Sequence, residues 1–181
     1  EVWNPLVGCS RESTECTLCY AERMAYRLAH MARAKIDKGE DPGKLAAYMD
    51  VVNLDRRRWN GNVVLHEPSL EALFNRRKGC DVFVNSMADF HHPNTDPHHK
   101  DRVYAAMALC RSHEFKILTK RADLMRAYVN DPETFERVTE IARTWPKDNF
   151  GDEQWVSQDS LDWPPQNVWH GVSVGGARAG R

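Results

Sequence analysis

Asp81-Val82-Phe83-Val84-Asn85-Ser86-Met87, then Asp96-Pro97 opening a run to Cys110, then Phe115-Lys116-Ile117-Leu118-Thr119-Lys120, is the stretch from which the fold is read. The outer runs are short and rich in β-branched and aromatic residues, as strands are. Between them, Asp96 offers an N-cap with proline at the first helical position, and Val103, Ala106, Met107 and Cys110 continue an apolar face. Cys110 is therefore expected in the core. Strand, helix and strand in this order form a βα unit, which implies parallel strands joined by a right-handed crossover.

The same rhythm extends in both directions. Further β-like runs cover Val2 to Val7, Asn62 to Glu67 and Asn167 to Val174. Tyr20 to Ala34 places Ala21, Met24, Ala25, Leu28, Ala29 and Ala32 at spacings of three and four, the stripe of a helix packed on a sheet. Asp131-Pro132 opens another helix, with Phe135, Val138, Ile141 and Ala142 on its apolar face and a stop at Pro146. Asp37 to Gly43 reads as a loop, residues 147–165 as a long surface insertion, and the Gly/Arg tail 175–181 as a fraying end. The expectation is one α/β domain over residues 1–174, with parallel strands and a cysteine loop at 8–20. Complete eight-fold barrels need about 250 residues, so five units imply a partial or truncated (βα) barrel.

The chain has 181 residues, of which 41% are hydrophobic and 28% charged, enough for a sizeable core. A net charge of −1 argues against a general polyanion binder, and the basic runs Arg56-Arg57-Arg58 and Arg76-Arg77-Lys78 read as solvated faces. No apolar run of membrane-spanning length and no charged-then-apolar leader appears, so a cytoplasmic setting without membrane contact is expected. The cysteine count is odd, and in a reducing compartment thiols stay free for metal or catalysis.

In a parallel α/β sheet, chemistry belongs at the C-terminal ends of the strands. That rule puts the cysteine loop, Glu67, the segment Ser86 to His92, Lys120-Arg121 and Ser173 on one rim. Cys9, Cys16 and Cys19 fall within Gly8-Cys9-Ser10-Arg11-Glu12-Ser13-Thr14-Glu15-Cys16-Thr17-Leu18-Cys19, directly before the helix at Tyr20. The two-residue gap between Cys16 and Cys19 can grip one metal or cluster, and the helix N-terminus favours thiolate. Gly8 is expected to let the backbone approach the ligand closely. Three thiolates leave a tetrahedral set one short. On a [4Fe-4S] cluster that leaves one iron open, and S-adenosylmethionine can bind there and be cleaved by one-electron reduction to a 5′-deoxyadenosyl radical. A zinc site completed by His91, His92, His98 or His99, or a merely structural cysteine cluster, are the alternatives at this level.

Five ordered blocks add a resemblance. Trp3-Asn4-Pro5 with Gly8-Cys9, Cys16 and Cys19-Tyr20-Ala21-Glu22 form the first block. Trp59-Asn60-Gly61 follows, then Phe83-Val84-Asn85-Ser86-Met87 with Asp89, Leu118-Thr119-Lys120-Arg121, and Asn167-Val168-Trp169 with Gly171-Val172-Ser173-Val174. Together they resemble a family of phage and bacterial proteins founded on the phage products gp thirty-seven and gp sixty-eight, which look like radical S-adenosylmethionine proteins. The resemblance implies cluster ligands at Cys9, Cys16 and Cys19, S-adenosylmethionine as cofactor, an unknown substrate, and a reductant protein such as a flavodoxin or ferredoxin. The six-residue gap between Cys9 and Cys16 fits this family and departs from the three-residue gap usual in radical S-adenosylmethionine enzymes. The chain departs from the family itself in two ways. Asp89-Phe90-His91-His92 stands where Asp-Leu-Phe-His is common, which makes His92 the positional equivalent. Family members also carry more sequence after the fifth block.

The other rim residues each carry two readings. Glu67 can accept the cofactor's ammonium group or be an exposed helix-entry residue. Asn85, Ser86 and Asp89 can bind ribose hydroxyls or orient a substrate, with Asp89 alternatively a loop cap. Lys120 and Arg121 can meet a carboxylate or phosphate, or simply begin a surface helix. Ser173 can contact the cofactor or cap a turn. Tyr20 is expected beside the cluster, Cys80 in a structural role, and His98-His99 on the surface. A second class of function is a non-catalytic, metal-stabilised binding module, with zinc or iron-sulfur as the metal and nucleic acid as partner, suggested by the basic runs and six tryptophans. Acyl and phosphoryl transfer lack their Gly-x-Ser-x-Gly elbow and phosphate-cradling loop.

Overall fold

The computed structural model describes residues 1–75, 78–145 and 161–174. Its centre is a four-stranded parallel sheet of β1 (Val2–Trp3), β6 (Asp81–Val84), β7 (Glu114–Thr119) and β8 (Val168–Val172), in the spatial order β1-β6-β7-β8. Val82 lies opposite Phe115, Val84 opposite Ile117, and Ile117 opposite His170. Along β7 the period of two is complete: Phe115, Ile117 and Thr119 are buried while Glu114, Lys116 and Leu118 are exposed.

The buried face is covered by α4 (Pro97–Leu109) and α6 (Pro132–Thr144). Both start as the sequence predicts, with the Asp96 carboxylate accepting from His98 N at 2.8 Å and the Asp131 carboxylate from Glu133 N at 3.1 Å. Every residue of α4 from Val103 to Leu109 is buried, because the helix lies between the sheet and α6. Trp3, Val82, Val84, Phe90, Tyr104, Phe115 and Cys110 join the same core, and Cys110 is inaccessible as expected. The opposite face stays open, with Val2, Leu118 and Trp169 exposed. α5 (Ala122–Asn130) links β7 to α6.

Three expectations are corrected. The run Val2 to Val7 is not one strand: β1 ends before Pro5, which has no N–H to donate, and β2 (Leu6–Val7) leaves the parallel sheet. The run Asn62 to Glu67 supplies no parallel strand either. Its core, β5 (Val64–Leu65), pairs antiparallel with β2 in a separate two-stranded sheet, so the parallel sheet has four strands where five were expected. Finally, α1 (Tyr20–Asp37) does not lie on the parallel sheet.

The predicted stripe of α1 is buried at Ala21, Ala25, Ala29 and Ala32, while Met24 is exposed. It packs on α2 (Ala47–Val51) and on the hairpin of β3 (Val52–Asn53) and β4 (Arg58–Trp59), forming a second core with Val7 and Met87. Alanines leave room for the hairpin backbone beside the helix, which large side chains would fill. After α3 (Glu67–Ala72) the chain returns to β6.

Residues 146–160 and 175–181, and with them the stop at Pro146, most of the expected insertion and the tail, lie outside the described residues. The end of the insertion is not a mere surface segment. Trp163 donates to Val129 O at 2.8 Å and packs against Tyr104 and Tyr128. Among the described residues no helix is long and apolar enough to cross a membrane.

Candidate functional site

The three cysteines meet in one pocket at the C-terminal edge of the parallel sheet. Cys9 follows β2, Cys16 sits in a 3-10 turn spanning Thr14–Leu18, and Cys19 is the N-cap of α1. The turn is closed by Cys16 N donating to Ser13 O at 3.1 Å and Cys19 N to Cys16 O at 3.2 Å, which carries out the two-residue gap read in the sequence. All three thiols line a cavity of about 270 Å³ whose far wall comes from the ends of β6 and β7. Among the described residues, no three His, Cys, Asp or Glu side chains converge tightly enough to hold a single metal ion.

Gly8 serves this arrangement differently from expectation. Its φ is +115°, its N donates to Met87 O at 3.0 Å, and a Cβ there would stand 2.1 Å from the carbonyl oxygen of Asn62. The close approach is to protein backbone, which fixes where Cys9 emerges.

Asp89 and Arg121 form the tie between loop and sheet. Arg121 donates through Nη1 to Asp89 Oδ2 at 2.7 Å and through Nη2 to Ser10 O and Oγ at 3.3 and 3.2 Å, with Glu12 at 3.1 Å. Asp89 also accepts from Thr119 Oγ1 at 2.5 Å, Lys120 N at 3.2 Å and His91 N at 3.1 Å. Asp89 is thus a loop cap and ion-pair partner, and Arg121, 7% exposed, is committed to it. This network is what the sequence reading missed, since residues thirty-two apart leave no local signal.

The thiols differ in their environment. Burial pushes Cys9 up to about 11, with the Asp89 charge adding to the rise and Arg121 opposing it. At Cys16 burial also raises the pKa, but the backbone N–H groups of Glu12 and Ser13, the Ser13 hydroxyl and Lys120 outweigh it, and the net shift is downward. Any ligand that needs Cys9 as a thiolate would have to displace its proton.

The remaining candidates divide into pocket and non-pocket residues. Asn85, Ser86, Lys120 and Ser173 line the cavity with the cysteines and Tyr20. Asn85 has φ +66°, its Oδ1 accepts from Leu6 N at 3.1 Å, and its buried Nδ2 has no partner. The Ser86 hydroxyl donates to Asn4 Oδ1 at 3.1 Å, and Ser173 N donates to Thr119 O at 2.8 Å. Tyr20 is exposed at the mouth and donates to Ser86 O.

Glu67 stands apart: with β5 outside the parallel sheet, it opens α3 and ion-pairs with Arg102 on α4. Among the described residues no histidine lines the cavity. The ring of His92 is engaged on both sides, by Ser10 Oγ at 2.7 Å and Asn94 N at 3.1 Å, and His91 is buried in the core. His98 is exposed and His99 half-buried on α4, and Cys80 pairs with His113 at 3.6 Å away from the cavity.

Fold and site define an α/β protein with an open parallel sheet and a three-cysteine pocket at the C-terminal ends of its strands. The profile of the family described as protein of unknown function, DUF5131, matches residues 1–181, and the chain belongs to that family. No curated protein and no solved structure matches the chain.

Proposed function

We propose that Cys9, Cys16 and Cys19 hold a [4Fe-4S] cluster that works with S-adenosylmethionine, on a partial (βα) barrel of radical S-adenosylmethionine type. The observation that carries this reading is the composition of the pocket wall: among the described residues it has three thiols from one loop, no histidine, and the Glu12 and Asp89 carboxylates both engaged by Arg121, so that the protein would supply three ligands and leave the fourth position to a small molecule. The chemistry of the donor set, three thiols on one cavity, is compatible with such a cluster, in which each thiolate binds its own iron, whereas among the described residues no three side chains converge as a lone zinc ion requires. When bound, the cluster supplies the electron that cleaves the sulfonium of S-adenosylmethionine.

The chain's own residues would do the rest. Arg121 and Asp89 hold the cysteine loop against the sheet. The unpartnered Asn85 Nδ2 offers a donor in the pocket wall, Lys120 a positive charge and Ser173 a hydroxyl toward a polar cofactor or substrate. Helices on one sheet face and an open opposite face are the arrangement of a barrel wall. A small electron-transfer protein of the flavodoxin or ferredoxin kind would be the reductant, working in the cytoplasm.

The test is iron and acid-labile sulfide content of the anaerobically purified protein, with electron paramagnetic resonance of its reduced form with and without S-adenosylmethionine. A cubane signal that shifts on adding the compound is the expected result. Zinc in place of iron, or no metal after reconstitution, overturns the reading.

A further inference from the structure

Five arginines gather on one flank of the cysteine pocket. Arg56, Arg57 and Arg58 occupy the turn and return strand of the β3–β4 hairpin, Arg23 and Arg27 stand one turn apart on α1, and all five are exposed. Folding brings the two groups together. Trp59 N donates to Glu22 Oε1 at 3.3 Å, and the Arg57 guanidinium lies 5.6 Å over the ring of Tyr26, one residue before Arg27. Tyr26 in turn meets His30 edge-on at 4.4 Å.

Within the cluster little negative charge opposes the arginines, although Glu12, held by Arg121 at 3.1 Å, lines the pocket and Glu15 is exposed in the same loop. Glu22 is buried and already holds Arg11 at 2.6 Å, which leaves Asp55 as the exposed carboxylate of the hairpin. Among the described residues, the ion pairs formed by α1 involve other positions, such as Arg33 with Asp37. Arg57 also adopts φ +52°, a left-handed conformation that hairpin turns usually give to glycine, asparagine or aspartate.

Guanidinium groups are suited to phosphate, which they meet with two parallel hydrogen bonds. The flank also leads somewhere. Trp59 follows Arg58 and Tyr20 precedes Arg23 by one turn, and both line the cysteine pocket, with Tyr20 62% exposed at its mouth. An exposed ring beside a row of cations is the combination by which single strands are held, with bases stacking while phosphates track the charge. A flat bilayer would meet the arginines without reaching the pocket.

We propose that this face binds the phosphodiester backbone of a single nucleic-acid strand and leads it to the mouth of the cysteine pocket, so that the substrate of the site is nucleic acid. The link to catalysis rests on the iron-sulfur reading, whereas the surface itself does not.

The experiment is fluorescence anisotropy of the full-length, metal-free protein with a labelled single-stranded DNA of about 20 nucleotides, and with RNA of the same sequence, titrated with salt. Because no metal is present, its outcome is independent of whether the cysteines bind iron. Four or five phosphate contacts give a plot of log affinity against log salt with a slope of about −3, and the double variants R23Q/R27Q and R56Q/R58Q each reduce its steepness by about 1.4. R126Q, on α5, leaves it unchanged. Tighter binding of one of the two strands identifies its kind. No binding at low salt, arginine variants that bind like the parent, or tighter binding to phosphatidylserine vesicles than to either strand overturns the proposal. If R56Q/R58Q disturbs the hairpin, as melting would reveal, R23Q/R27Q on the intact helix decides alone.

Discussion

The Arg121 guanidinium lies 2.7 Å from Asp89 Oδ2 with both side chains buried, and the same guanidinium reaches Ser10 in the cysteine loop. One ion pair thus joins the end of β7, the loop after β6 and the segment between Cys9 and Cys16. Removing one partner from a buried pair costs about 3–5 kcal/mol where the other charge is left uncompensated, and with Glu12 still 3.1 Å from Arg121 the cost falls toward the lower end of that range. Asp89→Ala is expected to lose that much stability in urea unfolding, together with protection from hydrogen exchange across residues 10–19. A loss below about 1 kcal/mol, the range of an exposed pair, would show that the tie does not hold the loop.

Gly8→Ala tests the other anchor of the loop. The added Cβ meets the Asn62 carbonyl at 2.1 Å and the Val51 side chain at 2.9 Å, in a backbone conformation that L residues avoid. Neither neighbour is the free end of a flexible chain. Strain of about 1–3 kcal/mol from φ alone, with overpacking of similar size, should lower the melting temperature clearly. An unchanged melting temperature would mean that β2 shifts away from Asn62 without penalty.

How far the sequence could be read depended on whether the signal was local. The parallel strands β6, β7 and β8, and the caps at Asp96 and Asp131, were legible because period and capping residues lie within a few positions. The apolar run 62–67 was legible as extended chain but not in its direction, since two residues of ladder carry no mark of parallel or antiparallel pairing. The alanine stripe of α1 predicted burial correctly without showing against what. The cysteine pocket followed from spacing, whereas Asp89 and Arg121 each looked like ligand contacts and the structure pairs them with one another. Arg23 and Arg27, by contrast, stand far in sequence from the run Arg56-Arg57-Arg58 and meet it only once the hairpin folds against α1.

His91 and His92 set a pH dependence. Burial lowers His91 to about 3, with Lys100 adding to the fall, and lowers His92 to about 4, with Arg121 adding. Both are neutral in the native state, whereas the unfolded chain takes up a proton near pH 6.5. Their contribution is therefore complete above pH 6.5 and is lost as pH falls from 6.5 toward 4 and 3. The slope is at most about 1.4 kcal/mol per pH unit for each histidine. Neither ring nitrogen of His91 has a partner, and the ring packs edge-on against Phe90 and Tyr128. His91→Phe is expected to match the parent within about 1 kcal/mol at pH 7 and to lose less stability between pH 6.5 and 4. Equal slopes for variant and parent would remove His91 as a source.

Cysteine substitutions separate ligand from core. Cys9, Cys16 and Cys19 line one cavity, whereas Cys110 is fully buried, its thiol pushed up to about 12 by burial among Met107, Phe115 and their neighbours. Alanine at Cys9, Cys16 or Cys19 should each abolish the visible absorbance of the reconstituted protein. The melting temperature of the metal-free form should hardly change for Cys16, which is partly buried and outside both cores, whereas Cys9 and Cys19 also pack against the core beside α1. Cys110→Ser should do the reverse. An unpaired hydroxyl in an apolar core costs about 1–3 kcal/mol, so stability falls while absorbance per folded molecule is retained. Absorbance that survives all three alanine variants would show that the cysteine pocket holds no cluster, whatever metal the protein carries elsewhere.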